Sequence, residues 1–217
     1  MNSVNYQRLL DKLLEKIKES GDRPRLLVHS CCAPCSSYVL EYLNEYFDIT
    51  VLYYNPNISP REEYNKRKAE QLRFISEKFP DGSVKLADCD YDSEAYTAAV
   101  CGLEKEPEGG KRCEKCFRLR LGRTAEYAAE GGFDYFVTTL SISPLKNAAL
   151  LNKIGDELSE SYGVAYLPSD FKKKNGYKRS IELSREYNLY RQSFCGCVYS
   201  KKQLNDKCEK TEINSEE

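Results

Sequence analysis

A short apolar segment that runs straight into a group of cysteines constrains the fold of this chain more than any other feature. Residues 26–28 predict a buried strand, and the sequence HSCCAPCSS follows them directly. Residues 38–43 then have the apolar spacing of an amphipathic helix. The cysteines are therefore expected between the carboxyl end of a strand and the amino end of a helix, where open α/β sheets bind their ligands. They are Cys31, Cys32 and Cys35.

Strand and helix patterns alternate along the rest of the chain. Four further apolar segments predict strands, each followed by a helical pattern: DITVLYY, SVKLA, FDYFV and VAYLP. This alternation predicts a three-layer, Rossmann-like α/β core with a mostly parallel sheet of about five strands. Because parallel strands end at one edge of a sheet, the polar and cysteine-rich segments that follow all five strands are expected along the same edge.

The 217 residues are expected to form a single domain. Residues 1–22 predict a charged amphipathic helix, residues 23–200 a metal-binding catalytic core, and residues 201–217 a polar tail that frays. Within the core, Ser143 is expected to cap a helix whose first residue is Pro144. The helix after the fifth strand is expected to continue into the sequence SFCGC.

Composition excludes several classes of function. The formal net charge is −1, so RNA binding would have to depend on a local basic patch. No apolar run approaches the roughly 20 residues that a membrane-spanning helix needs, and the amino end does not resemble a signal sequence. The protein is therefore predicted to be cytoplasmic, with no membrane partner. Ten cysteines in that compartment favour metal binding or redox chemistry over stable disulfides.

Seven of the ten cysteines form three compact groups along the sequence. The Cys-x-x-Cys spacing of one group, at the start of a predicted helix, lets two sulfurs bind one metal ion or two corners of a cluster. A glycine separates the two cysteines of another group and leaves room for their sulfurs to converge. The three groups are Cys31, Cys32 and Cys35; Cys113 and Cys116; and Cys195 and Cys197.

Thiolates without histidines favour an iron–sulfur cluster at these groups. A structural zinc site and simple burial of small apolar side chains are the alternatives, and sequence alone does not separate zinc from iron. The only histidine, His29, is expected in the core or behind the ligands rather than on a metal. Cys89, Cys101 and Cys208 are expected to be buried apolar residues without a metal.

Six segments together resemble the cobalamin-independent epoxyqueuosine reductase family, QueH. They occur in the expected order between residues 26 and 200: CCAPCSS, YNPNI, EPEGGKRCEKCFRLRL, FDYFVTTLSISPLKN, DFKKKNGYKRS and LYRQSFCGC. The resemblance implies a nucleotide-hydrolase-like core that carries a [4Fe-4S] cluster with an additional iron ion beside it. It further implies the last step of queuosine biosynthesis, in which the epoxide of epoxyqueuosine is reduced to queuosine. The substrate would be a tRNA with a GUN anticodon and epoxyqueuosine at the wobble position, and an external donor would supply the electrons.

The resemblance also identifies candidate ligands. The cysteines that match the motifs of the family are Cys31, Cys32, Cys113, Cys116, Cys195 and Cys197, and Cys35 is a further candidate. The working hypothesis is that Cys113 and Cys116, with Cys31 or Cys32, bind the cluster. Cys195, Cys197 and the remaining thiolate of the first group would then bind a metal that accepts the epoxide oxygen as a Lewis acid.

Reduction of an epoxide to an alkene and water also needs two protons. Acids and tyrosines at predicted strand ends or beside a cysteine group are candidate donors, and caps or loop anchors are the alternative roles. The candidates are Asp90, Tyr91, Asp92, Asp170 and Tyr190.

A basic run is the candidate surface for tRNA, because lysines can neutralise phosphates while an aromatic ring stacks on a base. Its cations are Lys172, Lys173, Lys174, Lys178 and Arg179, with Phe171 and Tyr177 beside them. A solvated loop is the alternative. Phosphate contacts are also expected from three arginines near the Cys-x-x-Cys pair: Arg112, Arg118 and Arg120.

Two other functions fit the cysteine pattern. One is a metal-cluster tRNA sulfur transferase, although the SGGxDS-like nucleotide loop that such an enzyme uses is absent after the first strand. The other is a zinc-stabilised RNA-binding module without enzymatic activity.

Overall fold

The computed structural model describes residues 4–87 and 89–202. Most of the predicted polar tail, with Cys208, lies outside these residues. Helices and strands alternate through the described part as the sequence predicts, and residues 198–202 are again helical. The elements are α1 Tyr6–Ser20, β1 Arg25–His29, α2 Ala33–Leu43, β2 Asp48–Leu52, α3 Arg61–Lys78, β3 Val84–Ala87, α4 Ser93–Ala99, α5 Lys111–Glu130, β4 Tyr135–Thr138, a 3₁₀ helix Thr139–Ile142, α6 Ala148–Tyr162, β5 Ala165–Tyr166 and α7 Gly176–Glu186.

The five strands form one parallel sheet in the order β3-β2-β1-β4-β5, which confirms the predicted α/β fold. Strand β1 lies at the centre, where Val28 pairs with Val51 on one side and Val137 on the other. Leu26 and Val28 pack with α1, α2 and α3, whereas Leu27 packs with α5 and α6. Alternate side chains of one strand thus enter two cores, as expected for a sheet covered on both faces.

Two local predictions are wrong. Helix α6 begins at Ala148 because the Asn147 side chain, rather than Ser143, caps it by accepting a hydrogen bond from Leu150 N at 3.1 Å. The Ser143 hydroxyl instead accepts from Leu145 N within a loop that joins the 3₁₀ helix to α6. Helix α7 ends at Glu186 and Asn188 adopts a positive φ of 46°, so the SFCGC segment is irregular rather than helical.

Two glycines in the interiors of helices provide a matched test of packing between α6 and the sheet. A Cβ at Gly155 would overlap the buried ring of Tyr166, whereas a Cβ at Gly122 would meet its nearest neighbour, Leu158 Cδ2, at 4.0 Å. We expect Gly155→Ala to lower the free energy of unfolding by about 1 to 3 kcal/mol through overpacking. Gly122→Ala should raise it by about 0.5 to 1 kcal/mol, since alanine favours helix. Urea unfolding of both variants is the measurement, and equal effects would contradict this packing.

Candidate metal centre and adjoining cavity

The first three cysteines form a compact group at the carboxyl end of β1. Cys32 occupies the N-cap position of α2, and Pro34 in the first turn fixes the start of this helix. The Sγ atoms of Cys31, Cys32 and Cys35 lie within 4.8 Å of one another, and those of Cys31 and Cys32 are 3.8 Å apart. Sulfurs bound at about 2.3 Å to one tetrahedral ion lie about 3.8 Å apart. This first cysteine group therefore has the spacing of ligands on a single ion.

Hydrogen bonds distribute the charge unevenly in this group. Thiols of Cys32 and Cys35 donate to the Cys31 sulfur, which lowers the pKa of Cys31 well below its usual value. The same hydrogen bond and burial raise the pKa of Cys32 to about 12, and the pKa of Cys35 is raised for the same reasons. Cys31 is thus the favoured site of negative charge in this group. A metal ion would displace the remaining protons.

The four remaining clustered cysteines lie near each other around the start of α5. They are Cys113, Cys116, Cys195 and Cys197. Cys116 and Cys197 belong to one small apolar cluster with Tyr96 and Val100. Burial, with the neighbouring charges of Cys195, Cys197 and Cys113, raises the pKa of Cys116 to about 12, while Arg120 opposes the shift. These four cysteines are called the second cysteine group below.

Backbone N–H groups point at two sulfurs of the second cysteine group. Gly109 N donates to Cys113 Sγ at 3.2 Å, and Ser200 N donates to Cys197 Sγ at 3.3 Å. Burial raises the pKa of Cys197, with a contribution from the charge of Cys195, and the bond from Ser200 N opposes this shift. The structure thus brings Cys113 and Cys116 together with Cys195 and Cys197. The sequence-based hypothesis instead combined each of these pairs with a cysteine that follows β1.

Gly196 makes the close approach of the 195–197 segment possible. Its φ is +108°, and a Cβ at this position would come within 3.1 Å of Ile58 and Arg67. The Gly196 carbonyl accepts a hydrogen bond from Ser59 N at 2.9 Å. Arg67 adds a second bond, from Nη1 to the Cys195 carbonyl at 3.2 Å. The segment that carries two cysteines is therefore attached to the loop after β2 and to α3.

A cavity of about 1000 Å³ lies beside both cysteine groups. All three cysteines of the first group line it, and Cys195 lines it from the second. Its other walls come from the segments after β2 and β4, from residues 107–108 before α5, from residues on α3, α5 and α7, from residues 191–195 and from Ser200. Three of the five segments that directly follow strands therefore contribute, and the described residues directly after β3 and β5 do not.

Several buried polar atoms on the cavity wall have no hydrogen-bond partner in the protein. Arg67 is paired with Glu63 at 2.6 Å and its side chain is only 2% exposed, yet its Nη2 atom is unpartnered. The others are Asn55 Oδ1, Arg120 Nη2 and Gln192 Oε1. Buried polar groups without partners are costly, so the presence of four such groups around one cavity indicates a polar ligand. Asn55, Arg67 and Gln192 are not among the residues predicted from sequence, although Asn55 and Gln192 lie within the YNPNI and LYRQSFCGC segments.

The predicted proton donors do not line the cavity. Asp90 is exposed, Asp92 caps α4, and the Tyr91 hydroxyl donates to the Ile58 carbonyl at 2.7 Å. Asp170 forms an ion pair with Lys172 at 2.7 Å, and the Tyr190 hydroxyl donates to Glu63 at 3.2 Å. Their observed contacts are those of caps and anchors. The cavity wall instead carries Glu108 and Lys146, which form an ion pair at 2.8 Å.

Most of the predicted basic patch is paired within the protein. Lys172 pairs with Asp170, Lys174 with Asp11 at 2.7 Å, and Arg179 with Glu41 at 2.8 Å. Lys173 and Lys178 are exposed, and no ion pair involves them in the described part of the chain. Tyr177, between them in sequence, lines the cavity.

Burial also removes two of the three arginines from a surface that could bind phosphate. Arg112 is buried and donates to the carbonyls of Leu103, Glu104 and Glu106, and Arg120 is buried beside the cysteines. Arg118 pairs with Glu157 at 2.6 Å.

The cysteines outside the two groups differ in exposure. Cys89 is partly buried and donates to the Tyr53 carbonyl at 3.1 Å. Cys101 is exposed, so the expectation that it is a buried apolar residue is wrong. Cys101 therefore provides a control site for experiments on the others.

His29 supports the site from within the core. Its Nε2 atom lies 3.1 Å from the Tyr54 carbonyl, which only accepts, so Nε2 carries the proton. Nδ1 then accepts from the Thr138 hydroxyl at 2.9 Å. Burial, with the nearby charge of Arg120, lowers the pKa of His29 to about 3. Both ring nitrogens are used within the fold, and neither is available to a metal.

Comparisons with known proteins agree with one another. A family model described as epoxyqueuosine reductase QueH matches residues 26–203. A protein named epoxyqueuosine reductase QueH from Streptococcus pyogenes serotype M1 is 47% identical over 201 residues, covering 92% of this chain and 79% of the relative. One of the same name from Thermotoga maritima is 36% identical over 178 residues, covering 81% of this chain and 89% of the relative.

A solved structure shares the fold. It is described as the U34-tRNA thiolase NcsA from Methanococcus maripaludis with its [4Fe-4S] cluster. The TM-score is 0.50 at 14% identity, over 96% of this chain and 74% of that chain. Identity this low supports a similar fold and nothing further. Separately, the described helices include none with both the length and the apolar character needed to cross a bilayer.

Because the chain has one histidine, the effect of burying His29 on the pH dependence of stability is not overlaid by that of another histidine. Its pKa is about 3 in the folded protein and 6.5 when exposed, so the unfolded chain binds the proton first as the pH falls. Stability should therefore decrease below pH 6.5, and the metal-free protein should be about 2 kcal/mol less stable at pH 5 than at pH 7.5. Urea unfolding measures this, in a Cys31→Ser background so that the Cys31 thiolate does not contribute.

The imidazole proton resonances of His29 provide the direct check. They should not shift between pH 7.5 and 5 in the folded protein. A titration midpoint near 6.5 would contradict the buried, neutral histidine.

Proposed function

The chain belongs to the epoxyqueuosine reductase QueH family, and from this premise we propose how its two cysteine groups and its cavity act on tRNA. It is an oxidoreductase of queuosine biosynthesis that reduces the epoxide of epoxyqueuosine to the cyclopentene of queuosine. The reaction consumes two electrons and two protons and releases the epoxide oxygen as water. The observation that carries the proposal is that the first and the second cysteine group border one cavity. Family membership removes the sulfur transferase and the zinc-stabilised module as the function.

The donor sets fit two different metal centres. The first cysteine group has single-ion spacing and lines the cavity, which suits one additional iron ion with an open position toward substrate. The second cysteine group offers four thiolates, the usual ligand number of a [4Fe-4S] cluster. When bound, the two centres would pass electrons from an external donor to the substrate. This division replaces the hypothesis that each centre takes cysteines from the segment after β1.

The protein's own side chains would orient the substrate. The unpartnered atoms of Asn55, Arg67 and Gln192 offer both donors and acceptors to the ring hydroxyls and the base edge. Lys146 is held close to Glu108, and its pKa is raised despite burial, because Cys195 and Glu108 favour its charged form. Its ammonium group therefore stays protonated and can donate a hydrogen bond to the departing oxygen, and Asp90, Asp170 and Tyr190 are not needed at the cavity.

The tRNA would approach the cavity through an apolar rim rather than through the paired lysines. Leu145 is 75% exposed and Tyr177 is 38% exposed, and both line the cavity. The wobble nucleotide would turn out of the anticodon into the cavity, and a neighbouring base would stack on the Tyr177 ring. Lys173 and Lys178 are the cations of the run that are free to meet phosphates. A tRNA substrate and thiol ligands that must stay reduced support a cytoplasmic location.

Variants of the two cysteine groups test the assignment of metals. After anaerobic reconstitution, Cys113→Ser and Cys116→Ser should lose the sulfide and about four irons per chain. Cys35→Ser should lose about one iron and keep the sulfide. All three should lose conversion of epoxyqueuosine to queuosine in tRNA, measured by mass spectrometry of digested nucleosides. Cys101→Ser, at the exposed thiol, is the control and should keep metals and conversion. Loss of sulfide in Cys35→Ser would contradict the division.

Substitution of Tyr177 tests the stacking contact. Tyr177→Ala should raise KM for tRNA on the order of 5- to 150-fold, the range of one base stacked on an aromatic ring, and leave kcat nearly unchanged. Tyr177→Phe keeps the ring and should keep KM. Tyr162→Ala is the matched control, since Tyr162 is 40% exposed on α6 and does not line the cavity. An unchanged KM in Tyr177→Ala would exclude this contact.

A further inference from the structure

Arg120 is a buried cation without a carboxylate partner. Its side chain is 1% exposed, Nε donates to the Cys116 carbonyl at 3.3 Å, and Nη2 has no partner. No ion pair involves Arg120 in the described part of the chain. A charge removed from water without an opposite charge costs several kcal/mol, so such a residue indicates that an anion forms beside it.

The other fully buried arginines have partners that Arg120 lacks. Arg67 is paired with Glu63 at 2.6 Å. Arg112 donates to three backbone carbonyls and lies over the Tyr199 ring at 4.7 Å. Both therefore have a role in holding the fold together. Arg120 has a single carbonyl, the Phe117 ring at 5.7 Å and the edge of the cysteine site.

The negative groups that Arg120 faces are sulfurs. It lies one helical turn after Cys116 on α5 and lines the cavity with Cys31, Cys32, Cys35 and Cys195. The sulfurs that interact with its charge are those of Cys116, Cys195, Cys31 and Cys113, three of them from the second cysteine group. His29, also nearby, is neutral, since both ring nitrogens are hydrogen-bonded within the core.

We infer that Arg120 balances the negative charge of the cluster on the second cysteine group and raises its reduction potential. The inference rests on the proposed function, because it requires a cluster on those cysteines. Reduction adds one electron and makes the centre more negative, and a fixed positive charge in a low-dielectric site stabilises that form. Arg120 thus acts through the cluster rather than on the substrate. Its charge makes transfer of the first electron to the cluster easier.

The test compares side chains that keep or remove the charge. Wild type, Arg120→Lys, Arg120→Gln and Arg120→Met are reconstituted with iron and sulfide, and each cluster is titrated with dithionite under anaerobic conditions. Both neutral variants should shift to a lower potential by about 59 mV or more, which is tenfold in a one-electron equilibrium. Arg120→Lys should retain most of the wild-type potential. Arg123→Gln is the matched control, because Arg123 lies on the same helix, has a side chain that is 39% exposed, pairs with Glu126 and does not line the cavity.

The possible outcomes separate this inference from the proposed function. Wild type without sulfide would overturn the proposed function, and the inference with it. A loaded wild type whose potential equals that of Arg120→Gln and Arg120→Met would overturn the inference alone. Loss of the cluster in both neutral variants, with retention in Arg120→Lys, would support the need for a positive charge. Loss to the same extent in Arg120→Lys would show that side-chain shape matters instead and would overturn the inference.

Discussion

The central position of β1 is the constraint on which the rest of the structure depends. Strand β1 pairs on both sides and is covered on both faces, so the chain that leaves it must enter the crevice at its carboxyl end. From β1 the chain builds the sheet outward through β2 and β3, and then returns to build β4 and β5 on the other side. The strand order thus reverses between β1 and β4, and a crevice forms where the segments after them diverge. The cysteines after β1 and the loop after β4 are the two walls of that crevice.

The chemistry of the site follows from the polar groups that this crevice buries away from water. Thiols and polar groups placed there lose their hydration, yet Asn55, Arg67, Arg120 and Gln192 keep atoms without partners. In an apolar core such groups would be replaced by hydrocarbon, because each one destabilises the fold. Their presence around a single cavity identifies a surface shaped for ligands. Arg120 differs from the other buried arginines in its partners, because it has neither the carboxylate that pairs with Arg67 nor the three carbonyls that accept from Arg112.

Sequence predicted the parts of this structure that depend on local pattern. The alternation of strands and helices is sufficient for the parallel sheet, and it places the polar segments at one edge. It does not predict how the cysteines combine, because the path of the irregular segment that carries Cys195 depends on bonds from Ser59 and Arg67. The basic run shows the same limit: its lysines resemble a patch, but Asp11 and Glu41, distant in sequence, neutralise part of it.

The attachment of the 195–197 segment to α3 and to the loop after β2 has one more consequence. The second cysteine group joins α5 to a segment with no regular structure, and residues 191–195 of that segment form a wall of the cavity. A cofactor bound there would act as a cross-link that closes a long loop and restricts the segment. Oxidative loss of the cofactor would then leave this wall held only by contacts within the protein, such as the hydrogen bonds from Ser59 and Arg67. In this fold, damage by oxygen would therefore loosen a wall of the substrate cavity as well as remove the electrons.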